Sequence, residues 1–154
     1  MTDTRTANVI GLGLIGGSVC LALRRAGFVV HGEDSSAERV AEALDRSVID
    51  RSGLDPAAEV TFVATPVNEI PAGVKRALES TTGWVTDVGS VKAPVAMACP
   101  DARFVPGHPM AGSELHGLDG ADATMFETAV WVLTPTQRTS DDAFAGVAGV
   151  VSRL

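Results

Sequence analysis

Residues 11–16 read Gly-Leu-Gly-Leu-Ile-Gly and directly follow the apolar run Ala7-Asn8-Val9-Ile10. A second apolar run, Phe28-Val29-Val30, leads to the acid Asp34. Each part of this pattern has a separate physical job. Gly11 permits a tight turn out of a strand, Gly13 lets the backbone approach a pyrophosphate, and Gly16 lets the next helix pack close to the sheet. The opening of that helix, at Leu14 and Ile15, offers free N–H groups and a partial positive charge to phosphates. A carboxylate at Asp34 is placed to accept hydrogen bonds from a ribose diol. Glycine is common here, 16 of 154 residues, so the glycine spacing alone carries little. The strands, the helix and the terminal acid around it point to a βαβ unit that binds a dinucleotide. The competing reading is a tight turn that holds no ligand.

The length suits one domain with a real core, read as a dinucleotide-binding domain over residues 1–154. A net charge of −7 argues against nonspecific attraction to nucleic acid or an anionic membrane surface. Cys20 and Cys99 lie far apart without metal-ligand spacing, and Cys20 reads as a small buried hydrophobe. That usage predicts a reducing, cytoplasmic setting. No apolar run approaches the ~18 residues of a transmembrane helix, and Met1–Thr6 lacks a signal-peptide core.

Strand and helix patterns alternate along the chain. Strands are expected at Asn8–Gly11, Phe28–Glu33, Ser47–Asp50, Val60–Ala64, Trp84–Val88, Arg103–Val105 and Ala129–Leu133. Helices are expected at Ile15–Ala26 with Gly27 as the stop, and at Ser36–Asp45 with a serine cap. Further helices are expected at Asn68–Ser80, from a Ser90 cap to Ala98, and at Asp141–Leu154. Gly107–Gly120 reads as a long glycine-rich loop. Repeated β-α units with apolar strands imply a doubly wound, mostly parallel α/β sheet of the Rossmann type. The chain ends inside the last helical pattern without a stop signal, which predicts a domain cut from a longer protein.

Ligands of such sheets bind beyond the carboxyl ends of the strands. The groups expected there are Asp34, Thr65-Pro66, the segment Asp87–Lys92 and the segment Gly107–Glu114. His108 is the acid-base candidate, because a neutral imidazole accepts a proton near physiological pH and Pro109 holds His108 extended. A loop histidine bonded only to backbone is the equal alternative. His116 and His31 rank lower. Ser90 either caps a helix or presents its hydroxyl to a ligand. Lys92 reads as a solvated helix residue, Asp87 as structural and Trp131 as core. Metal-ligand spacing, a nucleophile elbow and a phosphate-binding Gly-x-x-x-x-Gly-Lys segment are all missing, so no metal is expected.

Four segments together resemble the prephenate dehydrogenase family, which includes arogenate dehydrogenases. They are Gly11–Ser18, Asp87-Val-Gly-Ser-Val-Lys92, Gly107-His-Pro-Met-Ala-Gly-Ser-Glu114 and Met125–Pro135. The first is shared by many dehydrogenases, and the second and third are far more specific. The resemblance covers the cofactor half of the family's architecture, without the helical domain that makes the family's homodimer and completes its substrate pocket. It implies that His108 is the catalytic histidine and that Ser90 helps hold the substrate's ring hydroxyl. It places Ser113 and Glu114 beside the substrate, and Thr65 and Pro66 near the nicotinamide ribose. Leu115-His116-Gly117 departs from the family pattern where a small polar residue is expected, and Glu33 stands where an aromatic residue is common.

The activity implied is NAD-dependent oxidative decarboxylation of prephenate to 4-hydroxyphenylpyruvate, a step of tyrosine biosynthesis. Arogenate is the alternative substrate, and a non-catalytic NAD-binding regulatory module is the alternative class. NAD is favoured over NADP because Asp34 would repel a 2′-phosphate, although Arg39 stands a turn away. In the family an arginine of the helical domain meets the substrate's carboxylate. Residues 1–154 alone are therefore expected to bind cofactor better than they turn over substrate.

Overall fold

The computed structural model describes residues 3–154. The chain alternates strands and helices: β1 (Thr6–Ile10), α1 (Leu14–Arg25), β2 (Val29–Glu33), α2 (Ala37–Asp45), β3 (Arg51–Ser52) and β4 (Val60–Val63). There follow α3 (Ile70–Ser80), β5 (Trp84–Asp87), α4 (Ala93–Ala98), β6 (Phe104–Val105), β7 (Gly107–Pro109), β8 (Trp131–Leu133) and α5 (Asp141–Val151). Six strands form one sheet in the order β3-β2-β1-β4-β5-β6, and every pair in it is parallel. This is the doubly wound Rossmann order, with its reversal between β1 and β4.

The central strands are buried on both faces, which is why β4 reads as the unbroken run Val-Thr-Phe-Val. One core layer joins Val19, Cys20 and Leu23 of α1 to Ala143, Val147 and Val150 of α5. Ile70, Val74 and Ala77 of α3 pack with Val85, Val95 and Phe104 in a second layer. Cys20 is fully buried, as its pattern suggests. Arg103 donates to the carbonyls of Leu78, Thr81 and Gly83 at 2.6–3.0 Å and so ties down the end of α3. No helix among the described residues is long and apolar enough to cross a membrane.

Several boundaries differ from the sequence expectation for identifiable reasons. The third strand is Arg51–Ser52 rather than Ser47–Asp50, because Ser47 sits at φ +55° and turns the chain first. α3 begins at Ile70 after a single turn of 3-10 helix at Val67–Glu69, and Pro71 occupies its first turn. α4 begins at Ala93 with Pro94 in its first turn, so Lys92 and not Ser90 holds the cap position. The expected Gly107–Gly120 loop opens as β7, which pairs antiparallel with β8 in a separate two-stranded sheet. β8 therefore lies outside the parallel sheet. Its Trp131 packs edge-on to Phe62 at 6.1 Å and against Phe126 at 5.0 Å between ring centroids. α5 stops at Val151, capped by Ser152, so the chain does not end within it.

Candidate functional site

A cleft of about 660 Å³ opens at the carboxyl ends of β1 and β4, where the strand order reverses. Gly11, Gly13, Leu14 and Ile15 line it from the first turn. Glu33, Asp34 and Arg39 line a second side, and Ala64, Thr65, Pro66, Glu69 and Arg76 a third. The shape of the first turn follows from two glycines. Gly11 has φ +95°, and a Cβ there would lie 2.6 Å from the Ala64 carbonyl oxygen. A Cβ on Gly16 would lie 1.8 Å from the Gly11 carbonyl oxygen, so α1 approaches the strand only because that position is bare. Gly16 accordingly lies behind the cleft rather than on its lining.

The mouth of α1 is open to an anion. Gly13 occupies its cap position and supplies no side-chain acceptor, and the first helical turn carries no acidic residue. The N–H groups of that turn have no partner within the helix, and the helix dipole favours negative charge there. Across the cleft, Asp34 Oδ2 accepts from the Leu12 N–H and Oδ1 from the Ser36 N–H, both at 2.8 Å. Arg39 Nη1 stands 3.3 Å from both oxygens. Burial pushes the Asp34 pKa up, but the two amides and the guanidinium overcome it and hold the carboxyl below its ordinary value. Asp34 is thus a carboxylate at neutral pH and also a brace for the glycine turn. Thr65 Oγ1 is buried without a hydrogen-bond partner, which leaves a donor and acceptor for a bound ligand.

His108 lies on β7, opposite Val132. Its Nδ1 stands 3.2 Å from the Val88 carbonyl oxygen. A carbonyl only accepts, so this bond places the proton on Nδ1 and, in the neutral ring, leaves Nε2 with its lone pair. Val88 in turn donates its N–H to the Val63 carbonyl at 3.1 Å, immediately before Ala64 of the cleft wall. The histidine is therefore tied to the rim of the cleft but is not part of its lining.

Two loops meet beneath His108 through a buried ion pair. Asp87 is fully buried and accepts from the Gly89 and Gly107 N–H groups, each at 3.1 Å. Lys92 Nζ pairs with Asp87 Oδ2 and also donates to the Gly107 carbonyl at 2.6 Å. Lys92 is thus no solvated helix residue, since its side chain is only 17% exposed. Burial sets its pKa below the usual lysine value, with Asp87 working in the opposite direction.

The cleft brings together Gly11, Gly13, Leu14, Ile15, Asp34, Thr65 and Pro66. Ser90, Ser113 and Glu114 are exposed and stand outside its lining. Ser113 Oγ accepts from the Leu115 N–H at 3.0 Å and braces its own loop. Sequence reasoning missed Arg76 and Glu69, which reach the cleft from the α3 side. No motif marks them, because only the packing of α3 on the sheet brings them to the rim.

Residues 19–154 match the sequence model of a family described as "Prephenate dehydrogenase, nucleotide-binding domain". The chain belongs to the prephenate dehydrogenase family. It is 38% identical over 154 residues to a prephenate dehydrogenase of Bacillus subtilis, in a match covering 90% of this chain and 41% of that protein. Among solved structures it is similar to Synechocystis arogenate dehydrogenase, with 32% identity and a TM-score of 0.86 over 96% of this chain and 56% of the other. A prephenate dehydrogenase from A. aeolicus, solved in complex with hydroxyphenyl propionate and NAD+, is 27% identical with a TM-score of 0.89. That match covers 98% of this chain and 57% of the A. aeolicus chain. The chain thus spans about two fifths to three fifths of the length of these prephenate dehydrogenase relatives.

Proposed function

We propose that this chain binds NAD in the cleft and forms the cofactor-binding part of an enzyme that oxidatively decarboxylates prephenate to 4-hydroxyphenylpyruvate. The observation that carries the reading is the open mouth of α1 facing a buried, ionised Asp34 across one cleft, with the His108 imidazole anchored at its rim. Gly13, Leu14 and Ile15 would hold the diphosphate, and Asp34 the adenosine ribose. Thr65 and Pro66 would meet the nicotinamide ribose, where the unpartnered Thr65 hydroxyl fits a sugar oxygen. NAD bound there would supply the hydride acceptor for the substrate carbon that bears the ring hydroxyl.

His108 Nε2 takes the proton of that hydroxyl as the hydride departs. The carbon–carboxylate bond then breaks, carbon dioxide leaves with the ring becoming aromatic, and the resulting phenolate regains the proton. The Val88 carbonyl keeps Nε2 as the basic nitrogen through its bond to Nδ1–H. Ser90, Ser113 and Glu114 would line the substrate side, each exposed and available to a ligand. Two buried free cysteines suit a reducing cytoplasm, and the whole protein acts as a homodimer in this reading. Arogenate is the second substrate reading, favoured by the similarity to the Synechocystis arogenate dehydrogenase.

Titration of the protein with NAD is expected to saturate, and failure to bind would remove the basis of the reading. Prephenate is expected to drive NADH formation faster than arogenate does, and the reverse order would assign the amino substrate. Asp34→Ser tests the cofactor preference. It removes the charge that opposes a 2′-phosphate and releases Arg39, so the NAD-to-NADP preference is expected to fall by about tenfold. NAD affinity should also weaken, because Leu12 and Ser36 lose their acceptor. Parallel titrations with both nucleotides check this, and an unchanged preference would deny Asp34 the role.

A further inference from the structure

One end of the cleft carries a two-point ion pair. Glu33, at the end of β2, meets Arg76 of α3 in a two-point contact: Nε donates to Oε2 at 3.1 Å and Nη2 pairs with Oε1. Both residues line the cleft, and their side chains are 28% and 55% exposed. A fork-to-fork contact draws guanidinium and carboxylate toward a common plane. A guanidinium held this way has its edge committed to the carboxylate, while its face stays free to stack on a flat π-system. Glu33 directly precedes Asp34, so the pair stands beside the carboxylate assigned to the adenosine ribose. The flat group attached to that ribose is the purine base.

We propose that the Glu33–Arg76 pair forms the wall on which the adenine of the dinucleotide stacks, and that Glu33 keeps the guanidinium from serving a 2′-phosphate. This rests on the proposal that the cleft takes NAD. Glu33 is then a second determinant of cofactor choice beside Asp34, acting through Arg76. Arg39 meets Asp34 more loosely, end-on through Nη1 at 3.3 Å, so each cation lining the cleft is paired with a carboxylate.

The test compares ligands with and without the base. Arg76→Ala is expected to weaken NAD and ADP-ribose by about five- to tenfold, while nicotinamide mononucleotide, which lacks the adenine, binds as before. Arg76→Lys keeps the charge but not the plane, and it is expected to lose most of the same affinity. Glu33→Gln frees the guanidinium and is expected to raise NADP affinity relative to NAD at least about fivefold. Arg76 is exposed, so circular dichroism should show all three variants folded. Unchanged or tighter NAD binding by Arg76→Ala would overturn the proposal, as would an equal loss with nicotinamide mononucleotide or full rescue by lysine. If the unaltered protein bound neither NAD nor ADP-ribose, the cofactor reading itself would fall instead.

Discussion

His108→Asn is expected to lower kcat for the proposed oxidative decarboxylation by about a hundredfold to ten-thousandfold, the range ascribed to a positioned general base. Asparagine keeps an N–H donor for the Val88 carbonyl but supplies no basic nitrogen where Nε2 stands. The geometry of β7 should survive, because its ladder to β8 uses backbone groups. NAD affinity should stay within about twofold, since His108 does not line the nucleotide cleft. Steady-state kinetics paired with NAD titration separates the effects. A loss confined to KM would make His108 a binding group, and a loss of NAD affinity equal to the loss of rate would make it a cofactor contact. A fall of less than about fivefold in kcat would place the base elsewhere.

The parts of this site that were legible in the sequence are those whose chemistry is local. Gly11 and Gly16 are required by the turn itself, and their Cβ clashes arise within the β1–α1 unit or against the adjoining end of β4, whereas a Cβ on Gly13 would meet open space. Asp34 could be placed because it ends the strand that pairs directly with β1. The doubly wound, mostly parallel sheet followed from apolar strands separated by helices. What the sequence hid depends on contacts between distant segments. Gly107–Pro109 looks like loop because its glycine and proline suppress a strand signal, and its pairing partner is β8. Ser90 has the chemistry of a cap, but Pro94 moves the helix start to Ala93. Arg76 reaches Glu33 across 43 positions of sequence, and no periodicity records such a contact. His108 was identified through its flanking motif, whereas its tautomer is set by Val88, 20 positions away.

Lys92→Met is expected to cause the largest loss of stability among substitutions near the site. Asp87 is fully buried, and after this change its carboxylate would keep only the Gly89 and Gly107 N–H donors. Removing one partner of a buried pair leaves an uncompensated charge, a cost of about 3 kcal/mol or more. For a domain of this size that corresponds to a fall of roughly 6–12 °C in the unfolding midpoint. The damage would also reach chemistry. Lys92 Nζ joins the Asp87 carboxylate to the Gly107 carbonyl, and Gly107 is the residue before His108. Releasing that clamp lets β7 shift against the Val88 carbonyl, so kcat should fall by about tenfold or more even at temperatures where the protein stays folded. Lys92→Met/Asp87→Asn distinguishes the causes, because it removes both charges from the interior while the amide oxygen still accepts from the Gly89 or Gly107 N–H. It is expected to recover part of the thermal stability, since no uncompensated charge remains buried, without recovering kcat. Thermal unfolding of the single and double variants, read beside kcat at low temperature, makes the check. If the single variant kept its midpoint, the Asp87–Lys92 pair would not be what holds the two loops together.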